Sequence, residues 1–293
     1  MLEEFITKHR LDDRFTTIAN QWYIPLAEQL LVHQSSANKP FYVGINGCQG
    51  SGKSTLADFL SEYLHQQHQL RVVVLSLDDF YLSRQQRAQL GMNIHPLLQT
   101  RGVPGTHDVQ LIKSVLEQLH GSHSEIAIPR FNKANDNPLS SAYWPVVKTP
   151  VDMVIFEGWS WGVMAQSADQ LNQAVNSLEA EQDQRKIWRQ YVNQQLMVHY
   201  QPLYEQMDYW LMLQAPSFDH VFQWRLEQEK KLALSATGEK RHIMSTQQIC
   251  DFIQHFQRLT QHALNTLPAR CDQVFKLDKD RNIVSVTTRD AYA

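Results

Sequence analysis

The chain has 293 residues, 43% of them hydrophobic, enough for a full core in one large domain with insertions or in two average ones. Its 27 basic against 30 acidic side chains leave a net charge of −3, so no global field recruits nucleic acid or an anionic membrane, and a small-molecule partner fits better. Three scattered cysteines, Cys48, Cys250 and Cys271, exclude a disulfide framework and point to a reducing compartment.

The opening MLEEFITKHR is acidic where a secretory signal would be basic, and no apolar run approaches membrane-spanning length. A cytoplasmic location is expected. The oligomeric state is not readable. Residues 1–40 carry Trp22, Ile24, Leu26, Leu30 and Leu31 near helical spacing and read as an N-terminal helical extension, ending at a polar break before Phe41.

Phe41 to Leu56, FYVGINGCQGSGKSTL, is an apolar strand, a glycine-rich turn and a helix opening. Four residues separate Gly47 from Gly52, and Lys53 and Ser54 follow, completing the GxxxxGK[ST] pattern of a P-loop. Residues Gly47, Cys48, Gln49, Gly50, Ser51, Gly52, Lys53, Ser54 and Thr55 are thus expected to hold the phosphates of a nucleotide such as ATP. The glycines let successive N–H groups turn inward, and the helix start adds its positive end. Lys53 reaches the terminal phosphates, and the Ser54 hydroxyl is a ligand for Mg²⁺. Cys48 reads as a small filler of the loop.

A second β-branched run, Arg71 to Leu77, ends in Asp78, Asp79, Phe80 and Tyr81. Ligands meet an open α/β sheet at such strand ends, so at least one of these carboxylates is a candidate for chemistry. A P-loop followed by a strand ending in DxFY resembles the small-molecule kinases that include uridine kinase, pantothenate kinase and phosphoribulokinase. The resemblance implies that Asp78 accepts the proton of the substrate hydroxyl. Asp79 takes the variable position, and Tyr81 falls on the substrate side.

The segment RGVPGTHD, Arg101 to Asp108, is most similar to the P-loop glycerate kinases and their uncharacterised ATP-binding relatives. Arg101 offers a planar fork for an acceptor carboxylate or makes an ordinary salt bridge. His107 is a candidate for a substrate hydroxyl, and Asp108 caps the next helix. In the long loop from Arg130 to Trp144, Phe131 and Lys133 match the relatives' P-x-F-D-K, but Asn132 replaces the aspartate and no GDR-like segment follows. Lys133 either faces the site, adding positive charge near the phosphates, or is an ordinary solvated lysine.

Val151 to Phe156 is an apolar strand ended by Glu157 and Gly158, the arrangement in which a carboxylate holds Mg²⁺ directly or through water. In the continuation EGWSWG, Trp159 and Trp161 either line the acceptor pocket or cover the sheet. Gln166 to Gln206 carries one apolar stripe that includes Trp188, Leu196 and Tyr200 and reads as core packing. The WRLEQE segment resembles the lid of the glycerate-kinase group, which implies that Arg225 supplies transition-state charge. Glu229, Lys230, Lys231, Lys240 and Arg241 form a charge run that reads either as a solvated helix face or as a basic segment closing over the phosphates. A capped helix from Ser245 and two short strands around DKDRN close the chain.

These elements predict a three-layer α/β/α P-loop kinase fold with a mainly parallel sheet, over residues 41–293 with a lid around 216–244. The expected activity is ATP-dependent and Mg²⁺-dependent transfer of the γ-phosphoryl group to a small hydroxylated acceptor, D-glycerate first. The alternatives are another acceptor, pantothenate or a nucleoside, and a P-loop ATPase or regulatory ATP-binding protein without an acceptor.

Overall fold

The computed structural model of the chain describes residues 1–37, 40–121, 124–235 and 245–289, with side chains from 228 to 235 left out. Its centre is a six-stranded sheet of β1 (Phe41–Gly47), β2 (Val72–Ser76), β3 (Met153–Gly158), β4 (Tyr209–Gln214), β5 (Gln273–Leu277) and β6 (Ile283–Thr288). The spatial order is β6-β5-β4-β1-β3-β2. The first five run parallel, and β6 returns antiparallel along β5 as the expected closing hairpin. Every residue of β1 and β3 is buried, which is why both read as unbroken apolar runs rather than alternating ones.

Helices cover both faces, and each face has its own core. On one, Val43, Ile45 and Ile155 pack with Phe59 and Leu60 of the P-loop helix Lys53–His68 and with Val221 and Trp224 of the helix Phe218–Ser235. On the other, Tyr42, Val154 and Phe156 pack with Ile112 and Val115 of the helix Val109–His120 and with Phe256 of the helix Thr246–Thr266. This is the expected three-layer architecture. The amino-terminal helices Leu2–His9 and Ile24–Ser35 lie on the first face. Phe5, Phe15 and Tyr23 gather around Phe59 with ring centroids 5.3, 5.7 and 5.6 Å away, in one core with the P-loop helix.

Two expectations shift. Glu157 and Gly158 lie inside β3 rather than past its end, because Ile45 and Asn46 of β1 still pair with them. The Arg130–Trp144 loop contains a small antiparallel pair, Phe131–Asn132 with Asn137–Pro138. The Asn132 side chain accepts from the Ala134 and Asn135 N–H groups, and Asp136 adopts the left-handed region at φ 53°, which together turn the chain back. Among the described residues no helix is long and apolar enough to cross a membrane.

Candidate active site

Connections from β1 pass one way to β2, and the later strands β4 and β5 lie on the opposite side of β1. The crevice at the carboxyl ends of such strands is where an open α/β sheet meets its ligands. Here it opens into a cavity of about 480 Å³ whose wall includes Gln49, Gly50, Lys53 and Ser54 of the P-loop. Asp78, Tyr81, Arg101, Lys133, Glu157, Trp159 and Arg225 complete most of the remaining wall. Residues as far apart in sequence as Gln49 and Arg225 therefore meet at one cavity; of those expected for catalysis, metal and acceptor, all but His107 line it, while Gly47, Cys48, Ser51, Gly52 and Thr55 of the expected phosphate loop do not.

The loop geometry is set by its glycines. Gly50 and Gly52 sit at φ 80° and 93°, a region other residues avoid, and Ser51 N–H closes the turn on the Cys48 carbonyl at 3.1 Å. The helix begins at Lys53 with Gly52 as its cap, which leaves first-turn N–H groups without intrahelical partners beside the cavity that Lys53 and Ser54 line. Cys48 is buried, and that burial pushes its thiol up to about 12, consistent with a filler and not a nucleophile.

Strand register brings the polar centre together. Glu157 on β3 lies level with Ser76 on β2, and its Oε1 accepts from Ser76 Oγ at 2.8 Å and from Ser54 Oγ at 2.9 Å. Its Oε2 is buried without a hydrogen bond, 3.7 Å from Lys53 Nζ. Burial alone would lower the Lys53 pKa, but the carboxylates of Glu157 and Asp78 outweigh it and the ammonium is held above its ordinary value. Among the described residues no three His, Cys, Asp or Glu side chains are grouped to hold a metal alone. A hydroxyl and a half-satisfied buried carboxylate beside a phosphate cradle nonetheless suit a hard cation that takes its other ligands from phosphate and water.

The two aspartates after β2 separate cleanly. Asp78 accepts from Lys133 Nζ at 2.6 Å and from the Tyr81 hydroxyl at 2.9 Å. Burial resists its ionisation, yet Lys133 and Lys53 hold it down at about 2. Asp79 turns away from the cavity, accepting from Arg130 at 3.3 Å and from the Phe131 N–H at 3.2 Å. Trp159 donates from Nε1 to the Gly102 carbonyl and meets Phe256 edge to face, fixing the Arg101 loop against the sheet end. A side chain at Gly102 would enter the Phe256 ring, so the loop needs glycine there. Trp161, by contrast, covers the sheet, stacked on Phe156 at 4.0 Å. Arg225 lines the same cavity as Asp78, with its guanidinium 5.9 Å from the Phe252 ring centre.

His107 is the exception. It is 3% exposed, stacked under Tyr81 at 4.5 Å, with Nδ1 2.7 Å from the Tyr200 hydroxyl, and it does not line the cavity. The bridge that pairs Tyr81 with His107 places the imidazole behind the tyrosine ring. Its burial lowers its pKa to about 3, so it is neutral, and it touches the site through Tyr81. Of the expected lid, Arg225 is placed, while the Glu229, Lys230 and Lys231 side chains and all of Lys240 and Arg241 lie outside the described residues.

A family model described as the KAP family P-loop domain matches residues 23–187, more than half of the chain. The chain belongs to that family. It is a P-loop kinase by its relatives as well. It is 35% identical over 237 residues to an uncharacterised kinase, mug58, of Schizosaccharomyces pombe, covering 78% of this chain and 83% of that protein. It is 28% identical over 283 residues to the chloroplastic D-glycerate 3-kinase of Arabidopsis thaliana, covering 88% of this chain and 59% of that protein. The structure of D-glycerate 3-kinase from Cryptococcus neoformans superposes with a TM-score of 0.75 at 27% identity, covering 92% of this chain and 99% of that one.

Several side chains of the kinase's site escaped the sequence reading. Asn46 donates from Nδ2 to the Trp159 and Trp161 carbonyls, tying the EGWSWG turn to the P-loop strand. Ser76 closes β2, and its only signal in sequence is its place two residues before Asp78. Asp136 pairs with Arg101 and also, at 2.6 Å, with the buried Arg87, and these two guanidiniums hold its carboxyl below the usual range against the opposing effect of burial. Arg281, from the hairpin turn, donates from Nε to the Gly50 carbonyl at 2.9 Å. Nothing local in the sequence announces either contact.

Proposed function

We propose that this kinase transfers the γ-phosphoryl group of ATP to the hydroxyl of a small hydroxy acid, with D-glycerate the first candidate. The observation that carries the reading is the meeting of Asp78, Lys53 and Arg101 on one cavity wall: a hydroxyl acceptor, a phosphate-binding cation and a carboxylate fork. The relatives named D-glycerate 3-kinase support the choice of acid. Asp78 is ionised at any working pH, so it orients the acceptor hydroxyl and takes its proton as the new oxygen–phosphorus bond forms. Lys53 and Arg225 balance the charge on the phosphoryl oxygens, and Lys133 steadies Asp78 until the hydroxyl arrives. Ser54 and Glu157 would hold Mg²⁺, which neutralises phosphate charge when bound. Tyr81 fixes the Asp78 carboxylate, Trp159 walls the acceptor pocket, and His107 supports Tyr81 from behind.

One observation favours a second reading, an uncharged acceptor. Arg101 is already paired with Asp136, and the loop that carries Asp136 has Asn132 where the relatives' motif has aspartate. ADP release measured across hydroxy acids, sugars, nucleosides and pantothenate separates the two. Turnover confined to acids supports the carboxylate role, and turnover confined to neutral alcohols removes it.

A further inference from the structure

Arg87 lies outside the cavity but reaches its wall through Asp136. It is 2% exposed, on the helix Arg84–Asn93, and its guanidinium joins three segments of chain. Nε donates to the Leu82 carbonyl at 3.1 Å, Nη1 to the Gln99 carbonyl at 2.6 Å and Nη2 to the Asp136 carbonyl at 3.2 Å. Those acceptors are neutral. Among the described residues the one carboxylate paired with Arg87 is that of Asp136, whose Oδ2 lies 2.6 Å from Nη2. A guanidinium cannot shed its proton, so a buried one needs such a partner.

Asp136 divides its two oxygens. Oδ2 meets Arg87 while Oδ1 accepts from Nη1 of Arg101, so one carboxylate serves two cations. Arg101 is held by that single nitrogen, with its guanidinium 5.6 Å from the Phe131 ring centre, and among the described residues its Nε and Nη2 make no hydrogen bond. The count of charges then decides what the wall offers. Arg101 and Asp136 alone would form a neutral pair, which gives an acid acceptor no advantage over an uncharged alcohol. With Arg87 behind Asp136, two guanidiniums and one carboxylate leave one positive charge, and of the three residues Arg101 is the one that lines the cavity.

We infer that Arg87 is a positioning residue for acceptor specificity: by matching Asp136 from the buried side, it leaves the Arg101 charge available to a carboxylate in the cavity. This role rests on the hydroxy-acid reading above. It also answers the observation that favours an uncharged acceptor, because the anion beside Arg101 has a second cation of its own.

Steady-state kinetics of the full chain with ATP and D-glycerate, or the acid that the acceptor panel selects, test it, with folding checked by circular dichroism. Arg87→Met removes the buried charge and keeps much of the bulk. It should raise KM for the acid about tenfold, the scale of one unit charge at about 10 Å in partly screened protein, and leave KM for ATP unmoved. Adding Asp136→Asn to that variant restores the single positive charge and should bring KM for the acid back toward wild type. A purely structural staple predicts the opposite, since the second change removes one more contact. Should Arg87→Met fail to fold, Asp136→Asn alone decides, and KM for the acid should then hold or fall. A rise in that variant, an unmoved KM in Arg87→Met, equal rises for acid and ATP, or a double variant worse than the single one would overturn the role of Arg87. A wild type that phosphorylates only uncharged acceptors would overturn the hydroxy-acid reading beneath it instead.

Discussion

Replacing His107 with Phe keeps the flat ring stacked on Tyr81 but removes a titrating group from the core. In the fold this imidazole is held at about 3, against an ordinary value of 6.5, by burial that Asp78 only partly offsets. The unfolded chain therefore binds a proton below about pH 6.5 that the folded chain refuses, and stability falls as pH drops from there toward 3. Between about pH 7 and about pH 5 the difference in proton binding integrates to about 2 kcal/mol, a figure set almost wholly by the unfolded state. Urea unfolding at both pH values, for wild type and His107→Phe, reads this directly. The variant is less stable at neutral pH through loss of the Tyr200 contact, but its loss on acidification should be smaller than that of wild type by about 2 kcal/mol. The half-buried His255 and the buried His262, whose pKa values burial also lowers, weaken both proteins alike and cancel. Equal acid sensitivity in the two proteins would refute the placement of a neutral His107 behind Tyr81.

Asp78→Asn should cut kcat about 10²- to 10⁴-fold, whereas Asp79→Asn, which faces Arg130 and a backbone N–H, should be far milder; steady-state rates in which Asp79 proves the more damaging change would reverse the assignment. Arg101→Lys exchanges a fork for a point charge, so KM for an acid acceptor should rise while KM for ATP barely moves, and an equal rise in both would deny the carboxylate role. Arg258→Ala strips the partner from Glu179, whose side chain is fully buried, and should cost about 3–5 kcal/mol in urea unfolding; a loss under about 1 kcal/mol would show the pair contributes little.

The parts of the site legible in sequence are those imposed by the local backbone. Glycines at fixed offsets and a GKS run can be read from residues 47 to 54 alone, and Asp78 and Glu157 are marked by the ends of apolar strands. The level of Glu157 with Ser76, two residues before Asp78, follows from parallel pairing of neighbouring strands. What sequence could not show depends on distant chain crossings. The RGVPGTHD loop makes His107 a candidate for the substrate, but only the bridge to Tyr81 reveals that it stands behind that ring. Asp136 reaches Arg101 through a left-handed turn at a non-glycine residue, which no residue pattern signals. Arg281 meets Gly50 across 231 positions, so neither partner hints at the other. The amino-terminal helices were visible as helices, but their contact with Phe59 depends on which face the P-loop helix offers.

Transfer to an acceptor alcohol and hydrolysis of the nucleotide leave the γ-phosphate in different products. Incubating the kinase with γ-labelled ATP, Mg²⁺ and D-glycerate, and separating organic from inorganic phosphate, tells them apart in one measurement. For a kinase of a hydroxy acid, label should appear in a phosphorylated acid, formed by wild type and reduced by orders of magnitude in Lys53→Ala. Label recovered only as inorganic phosphate, at a rate indifferent to glycerate and to the other hydroxylated compounds of the panel, would contradict transfer.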